Sequence, residues 1–183
     1  MRFLLLDRIT ALDPPHSAQA LKCISLADDL FVDHFPGYPV MPGTMLIEAM
    51  AQLGGVVLEA SLKSAARPYE LHALLTLVDR AKLRRGVRPG DRLVIDAKVL
   101  RVSEDAGRVR AQVRATEPLM ASAEPPAFER AALTEGDAPA VEGAPLVAEA
   151  ELTFVFAQVT NARLIAKRKE ILDVWLHGSV RAP

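Results

Sequence analysis

One long apolar segment limits most strongly how this chain can fold. Between residues 44 and 58 the only charged side chain is Glu48, and the other positions are apolar, small or amide around the whole helical wheel. A helix that is apolar on every side is buried in a soluble protein. We therefore predict a central helix that begins at Gly43 or Thr44 and runs to about Leu62, with the rest of the chain packed around it.

The later segments alternate between apolar and polar residues, which is the pattern of strands with one face on a core. The clearest cases are residues 93–99, 109–115 and 148–156. Residues 20–26 form a candidate strand, and residues 71–78 have the length and composition of a buried strand. Several antiparallel strands with one solvated face, together with one buried helix, predict an α+β fold in which a curled sheet surrounds the helix.

Composition excludes several classes of partner. Half of the 183 residues are hydrophobic and the formal net charge is −1, so the chain as a whole does not favour nucleic acid or a membrane surface. Cys23 is the single cysteine, which rules out an internal disulfide. Neither a signal peptide pattern nor an apolar stretch long enough to span a bilayer is present, and we expect a cytoplasmic protein.

Two residues stand out against this apolar background. A carboxyl group in a buried helix must find a partner or stay protonated, and Gln52, one turn beyond Glu48, is the expected hydrogen-bonding neighbour. His34 lies in a loop whose prolines and glycines fix the course of the backbone. Taken singly, either residue is more often structural. Their spacing, with Gly43 at the helix start between them, favours a catalytic site.

Residues 34–52 read HFPGYPVMPGTMLIEAMAQ. This run resembles the β-hydroxyacyl-acyl-carrier-protein dehydratases of the FabZ type, which have the hotdog fold. The resemblance implies that His34 and Glu48, fourteen positions apart, are the catalytic pair. Glutamate at the second position is similar to FabZ, whereas the related FabA enzymes carry aspartate. Weaker similarity extends to residues 3–9, 78–91 and 147–152.

The resemblance also suggests a domain organisation. Residues 1–160 would form the hotdog domain, and its acidic, proline-rich segment at about 116–145 would be an insertion where the family has a tight turn. Residues 161–183 would form an amphipathic helix and tail, with Asn161 as the N-cap. The apolar face of that helix comprises Leu164, Ile165, Ile171, Leu172, Trp175 and Leu176. Residues 2–12 are implied to be a short helix or turn, although their sequence also fits a strand.

Removal of water from a (3R)-hydroxyacyl thioester, which gives a trans-2-enoyl thioester, needs a base for the proton beside the carbonyl and an acid for the departing hydroxyl. Neutral His34 suits the base, and Glu48, whose pKa we expect burial to raise, suits the acid. Free backbone N–H groups at the helix start, at Gly43, suit the charge that develops on the thioester oxygen. The residues that we expect to contact substrate are Gly43, Gln52, Val40, Phe35 and Met45.

Partners follow from the same resemblance. It implies a homodimer whose two catalytic residues at each site come from different subunits, and leaves open a trimer of dimers. The substrate would arrive on the phosphopantetheine of an acidic acyl carrier protein, without a further cofactor or metal. The basic residues that could receive the carrier are Arg80, Lys82, Arg84, Arg85, Arg88 and Arg92. A solvated strand edge would carry the same charges, so this alternative stays open.

Two other functions also stay open. One is a hotdog thioesterase, in which an acid and a bound water would cleave the thioester. The other is a non-catalytic hotdog subunit that binds acyl chains or pairs with an active partner. The spacing of His34 and Glu48 favours the dehydratase over both.

Overall fold

The computed structural model describes residues 4–62, 70–116 and 144–177. Its elements in chain order are β1 (Arg8–Asp13), β2 (Ser17–Cys23), a 3₁₀ turn (Asp29–Phe31), α1 (Gly43–Ser61), β3 (Leu71–Leu83), β4 (Arg92–Val102), β5 (Ala106–Thr116), β6 (Leu146–Gln158) and α2 (Ala162–His177). The strands form a six-stranded sheet in the order β1-β2-β4-β5-β6-β3, and every neighbouring pair is antiparallel.

Helix α1 packs against one face of this sheet, as the apolar segment predicts. The alternating residues Val109, Ala111, Val113 and Ala115 of β5 are all fully buried in the core. Close approach is achieved at glycine: a Cβ on Gly54 would lie 2.8 Å from a methyl carbon of Val109. The α+β class and the curled antiparallel sheet are therefore confirmed, and the helix bounds differ from the prediction by one residue at most.

Strand β3 is an edge strand, and the prediction that residues 71–78 are buried is wrong. The strand pairs only with β6, because it ends the sheet order. Its large apolar side chains are exposed in the single chain, among them Leu74, Leu75, Leu77, Val78 and Leu83. The sequence pattern records that these residues are apolar, but it cannot say whether the same chain covers them.

The N-terminal segment is a strand from Arg8 to Asp13, so the helix or turn implied for it is wrong there. Pairing with Ser17–Cys23 accounts for this, because a tight turn at residues 14–16 brings the two segments side by side. Residues 4–6 precede the strand without regular structure. Leu5 and Leu6 are nevertheless buried in the core.

Helix α2 begins as its sequence predicts. The Asn161 side-chain oxygen accepts hydrogen bonds from the backbone N–H groups of Arg163, at 3.0 Å, and Leu164, at 3.3 Å. Only the C-terminal half is fully packed, through Leu172 and Trp175. Leu164 and Leu176, which belong to the predicted apolar face, are exposed in the single chain.

The predicted acidic insertion lies almost entirely outside the described residues. Its described flanks are held together, because the Ala115 backbone N–H donates to the Pro145 carbonyl at 3.1 Å. Within the parts of the chain that the structure describes, neither helix combines the length and apolar character needed to cross a membrane.

Candidate active site

The His34 loop is closed by its own backbone. The Val40 N–H donates to the His34 carbonyl at 3.0 Å, and Phe35 and Tyr38 exchange a pair of backbone hydrogen bonds of 3.0 and 2.9 Å. The His34 ring completes this arrangement, with Nδ1 2.7 Å from the Val40 carbonyl oxygen. A carbonyl can only accept, so Nδ1 carries the proton and the lone pair of the neutral ring is at Nε2.

A second set of contacts ties this loop to the connection between β3 and β4. The Met41 N–H donates to the Val87 carbonyl at 2.8 Å. The Arg88 guanidinium stacks over the Tyr38 ring, 4.3 Å from its centroid. Arg88 was expected only as a carrier contact, and no pattern in the sequence joins it to Tyr38. The connection between β3 and β4, which contains Arg88, is therefore in direct contact with the His34 loop.

Gly43 is the first residue of α1. Pro42 precedes it as the N-cap and provides no side-chain hydrogen bond. The first N–H groups of a helix have no intrahelical partner and remain available to a ligand. A Cβ on Gly43 would overlap a methyl carbon of Leu83, so only glycine fits beside this side chain as it stands.

Glu48 lies in the second turn of α1 and is held by Gln52, as expected. The Gln52 side-chain amide donates to Glu48 Oε1 at 3.0 Å, and its oxygen accepts from the Leu5 backbone N–H, also at 3.0 Å. Glu48 is half-buried rather than enclosed, which corrects the expectation of a fully buried helix. Residues 53–59 are buried without exception, while part of the first half of α1 faces away from the sheet of its own chain.

Within the described part of the chain, no hydrogen bond joins His34 to Glu48. A cavity of about 260 Å³ lies nearby, lined among others by Leu5, Lys22, Phe31 and Met41, but neither catalytic candidate contributes to it. The other expected substrate contacts are distributed around the loop and the helix start. Phe35 stacks on His34 with ring centroids 4.1 Å apart, and Val40 and Met45 are half-buried.

Three of the basic residues predicted to receive the carrier form ion pairs with carboxylates of β6, on the face of the sheet opposite α1. Arg84 and Lys82 both pair with Glu149, the latter at 3.9 Å. Burial raises the pKa of the Glu149 carboxyl, but the hydrogen bond and charge of Arg84, with the charge of Lys82, outweigh it. The pKa is held below its ordinary value of 4.5.

Glu151 is the centre of a second group on the same face. Arg110 and Arg108 each lie 2.8 Å from it, and Arg80 lies 3.4 Å away. The hydrogen bond from Arg110 is the largest influence on the pKa of Glu151. It outweighs burial and, with the surrounding positive charges, holds the pKa below 4.5. Arg80, Lys82 and Arg84 are thus partly neutralised within the chain.

Glu59 is a buried charge that the sequence analysis did not single out. One oxygen accepts from the Ala73 N–H at 3.0 Å, and the other accepts from Arg168 at 2.9 and 3.2 Å. Arg168 of α2 therefore faces the domain. A charged residue near the end of an apolar helix was the available signal. Among the described residues, no cluster of three or more potential ligands is arranged to hold a metal.

A six-stranded antiparallel sheet packed on one long apolar helix defines a hotdog-fold protein. Solved structures with this fold include a thioesterase from Haemophilus influenzae, with a TM-score of 0.52 and 12% identity over 84% of this chain and 80% of that one. A hypothetical thioesterase with coenzyme A from Streptococcus pneumoniae has a TM-score of 0.54 and 11% identity, over 84% and 88%. At these identities the likeness shows the fold alone.

Sequence comparison identifies the family. A model of the FabA-like domain matches residues 1–117. The 3-hydroxyacyl-[acyl-carrier-protein] dehydratase FabZ of Pelotomaculum thermopropionicum is 39% identical over 122 residues, which cover 67% of this chain and 84% of the relative. FabZ of Desulforamulus reducens is 40% identical over 122 residues, 67% of this chain and 83% of the relative. The chain therefore belongs to the FabA-like family, and within it is a FabZ-like dehydratase.

Proposed function

We propose that this chain removes water from (3R)-hydroxyacyl thioesters to give trans-2-enoyl thioesters. The observation that carries the proposal is the hydrogen bond from His34 Nδ1 to the Val40 carbonyl. It leaves Nε2 as the unprotonated ring nitrogen, which is the state that a general base requires. His34 takes the proton from the carbon beside the carbonyl, and Glu48 gives a proton to the departing hydroxyl. One C–H and one C–O bond break, a carbon–carbon double bond forms, and water leaves.

The start of α1 supplies the third component. As the proton is removed, negative charge develops on the thioester oxygen, and backbone N–H groups at a helix start stabilise such charge. Gly43 contributes one of these groups, and its lack of a side chain allows the thioester to approach. Gln52 holds Glu48 Oε1, so the other carboxyl oxygen is left to face the substrate hydroxyl.

A second copy of the chain is part of this proposal. The β3 edge exposes a row of apolar side chains and unpaired backbone groups, which a second β3 strand would cover. Each subunit then contributes His34 to one site and Glu48 to the other. Such sharing accounts for the half-burial of Glu48 and for the absence, within the described residues of one chain, of a hydrogen bond between the two groups.

We further propose that the substrate is carried on the phosphopantetheine of an acyl carrier protein in the cytoplasm. The relatives are named for such substrates. Arg80, Lys82 and Arg84 pair with Glu149 and Glu151 within the chain. The carrier's acidic residues would therefore meet mainly Arg85 and Arg88, in the connection from β3 to β4, and Arg92, the first residue of β4.

An assay of the purified protein with 3-hydroxyacyl and crotonyl thioesters tests the activity. Reversible loss and addition of water, followed by the absorbance of the enoyl thioester, is the expected result. Release of free thiol would identify a thioesterase instead, and binding without turnover would identify an acyl-binding subunit. Arg85→Gln should raise KM for the carrier-linked substrate and leave KM for a short pantetheine thioester unchanged. Equal effects on both substrates would contradict the carrier contact.

A further inference from the structure

Trp175 joins the C-terminal helix to the N-terminal segment. Its indole Nε1–H donates to the Leu6 carbonyl at 2.8 Å, across a sequence separation of 169 residues. The side chain is 2% exposed, so this hydrogen bond is shielded from water. A buried indole N–H stabilises the fold through such a hydrogen bond. Removal of the N–H leaves the carbonyl without this donor.

The segment that Trp175 holds is the segment that orients Gln52. The Leu5 N–H donates to Gln52 Oε1 at 3.0 Å, which fixes which end of the side-chain amide carries the oxygen. The nitrogen of the same amide therefore points the other way and donates to Glu48 Oε1 at 3.0 Å. Leu5 and Leu6 precede Asp7, whose backbone N–H donates to the Leu21 carbonyl of β2.

Helix α2, which carries Trp175, is itself held firmly against the domain. Arg168 anchors it by two hydrogen bonds to the buried carboxylate of Glu59 at the far end of α1. The same guanidinium lies 5.9 Å from the centroid of the Trp175 ring. The match to the FabA-like domain covers residues 1–117, so α2, like β6, lies beyond the matched residues.

We infer that Trp175 is a positioning residue for Glu48, acting through Leu6, Leu5 and Gln52. This inference rests on the proposed function, because Glu48 is the acid of that reaction. Trp175 then connects α2 to Glu48 through hydrogen bonds, without itself being a catalytic residue. The contacts form one series: Trp175 to Leu6, Leu5 to Gln52, and Gln52 to Glu48.

Kinetics of the Trp175→Phe variant test the inference. Phenylalanine keeps an aromatic ring but has no N–H, so Leu6 loses its donor. We expect kcat to fall about ten-fold, because small displacements of a catalytic group are costly, while KM changes less than about two-fold. In a Gln52→Leu background the series is already broken, and Trp175→Phe should lower kcat no further. An equal fold-loss in both backgrounds would overturn the inference.

Leu172→Ala is the matched control. Leu172 is buried on the same face of α2, 5% exposed, and its side chain has no polar group to take part in the series. This variant should lower the thermal midpoint at least as much as Trp175→Phe does, with kcat unchanged at a temperature where both variants are folded. A fall in kcat that follows the thermal midpoint across the two variants would show a purely structural role and overturn the inference.

The indole signal gives a readout that does not depend on activity. Trp175 is the only tryptophan, so the ¹⁵N-labelled chain has a single indole N–H resonance. Gln52→Leu should shift this resonance and speed its hydrogen exchange. Gln19→Leu, which removes an amide bonded to Thr10 and Asp96 instead, should leave it unchanged. An unchanged resonance in Gln52→Leu overturns the inference. Inactivity of the unmutated chain with every thioester would instead overturn the proposed function.

Discussion

The two catalytic candidates are held in place in different ways. His34 is oriented by Val40, six residues away, within a loop whose backbone closes on itself. Glu48 is oriented by Gln52, which depends on a backbone group 47 residues away and, through it, on a helix near the other end of the chain. The His34 ring is therefore oriented within its own loop, while the orientation of Glu48 depends on the N-terminal segment and α2. Changes in that segment or in α2 should reach Glu48 and spare His34.

The largest expected effects come from removing either group. His34→Ala and Glu48→Gln should each lower kcat by about a thousand-fold, since each removes a proton-transfer group. Neither change deletes a packed core side chain, so the free energy of unfolding should change by less than about 1 kcal/mol. Steady-state hydration of a crotonyl thioester and thermal unfolding measure the two quantities. Activity within ten-fold of the unmutated chain, for either variant, would remove that residue from the mechanism.

The next largest effect is expected from Leu77→Lys, which tests whether His34 and Glu48 need a second chain to form a site. Leu77, 49% exposed on the β3 edge, is changed to lysine, which places a charge where a second strand should pair. We expect a monomer by light scattering and at least about a hundred-fold loss of kcat/KM, because each site would lose one of its catalytic groups. Leu100→Lys is the control, because Leu100 is 41% exposed but lies on β4, away from that edge. A dimer of unchanged activity in Leu77→Lys would contradict the proposed interface.

Gly43 lies between His34 and Glu48 in the sequence, and its substitution should lower activity by a smaller factor. Alanine would meet the end of the Leu83 side chain, which is 49% exposed, so the adjustment should cost less than about 1 kcal/mol of stability, shared between Leu83 and the helix start. We expect about a ten-fold fall in kcat, since the N–H group would no longer be aligned with the thioester oxygen. Leu83→Ala in the same chain should restore both stability and activity. Failure of this second change to restore either would show that the space beside Leu83 is not what requires glycine.

The smallest effect on activity is expected at Glu151, which holds neither His34 nor Glu48 in place. Its pKa in the folded chain is lowered, so its stabilising contribution is complete above 4.5 and is lost as the pH falls through the lowered value. Glu151→Gln should lower the thermal midpoint at pH 7 and leave kcat unchanged. The difference from the unmutated chain should shrink as the pH falls below 4.5. Parallel melting curves at all pH values would contradict the ion-pair account.

The same contrast explains what the sequence could predict. The helix bounds, the alternating strands of the sheet and the pairing of Gln52 with Glu48 follow from periodicity and short spacing. The Val40 carbonyl was not expected as the partner of His34, because a backbone acceptor leaves no mark on residue type. Trp175 to Leu6 and Glu59 to Arg168 were missed because they join positions more than 100 residues apart.

Edge exposure was missed for a different reason. An apolar run looks alike in the sequence whether its own chain or a second chain buries it, and β3 was taken for an interior strand. The residues concerned, Leu74, Leu75 and Leu77, are explained only when the sheet order is known. Whether an apolar strand lies inside the sheet or at its edge is therefore the part of the fold that its own sequence pattern reveals least.

Mixing two inactive variants tests the central claim most directly. His34→Ala and Glu48→Gln chains, one of them tagged, are allowed to exchange subunits, and the mixed dimers are confirmed by co-purification. If each site takes His34 from one chain and Glu48 from the other, a mixed dimer has one intact site. An equal mixture should then regain about a quarter of the unmutated activity, because half of the dimers are mixed and each has one of two sites. Mixed dimers that stay as inactive as their parents would contradict sites shared between subunits.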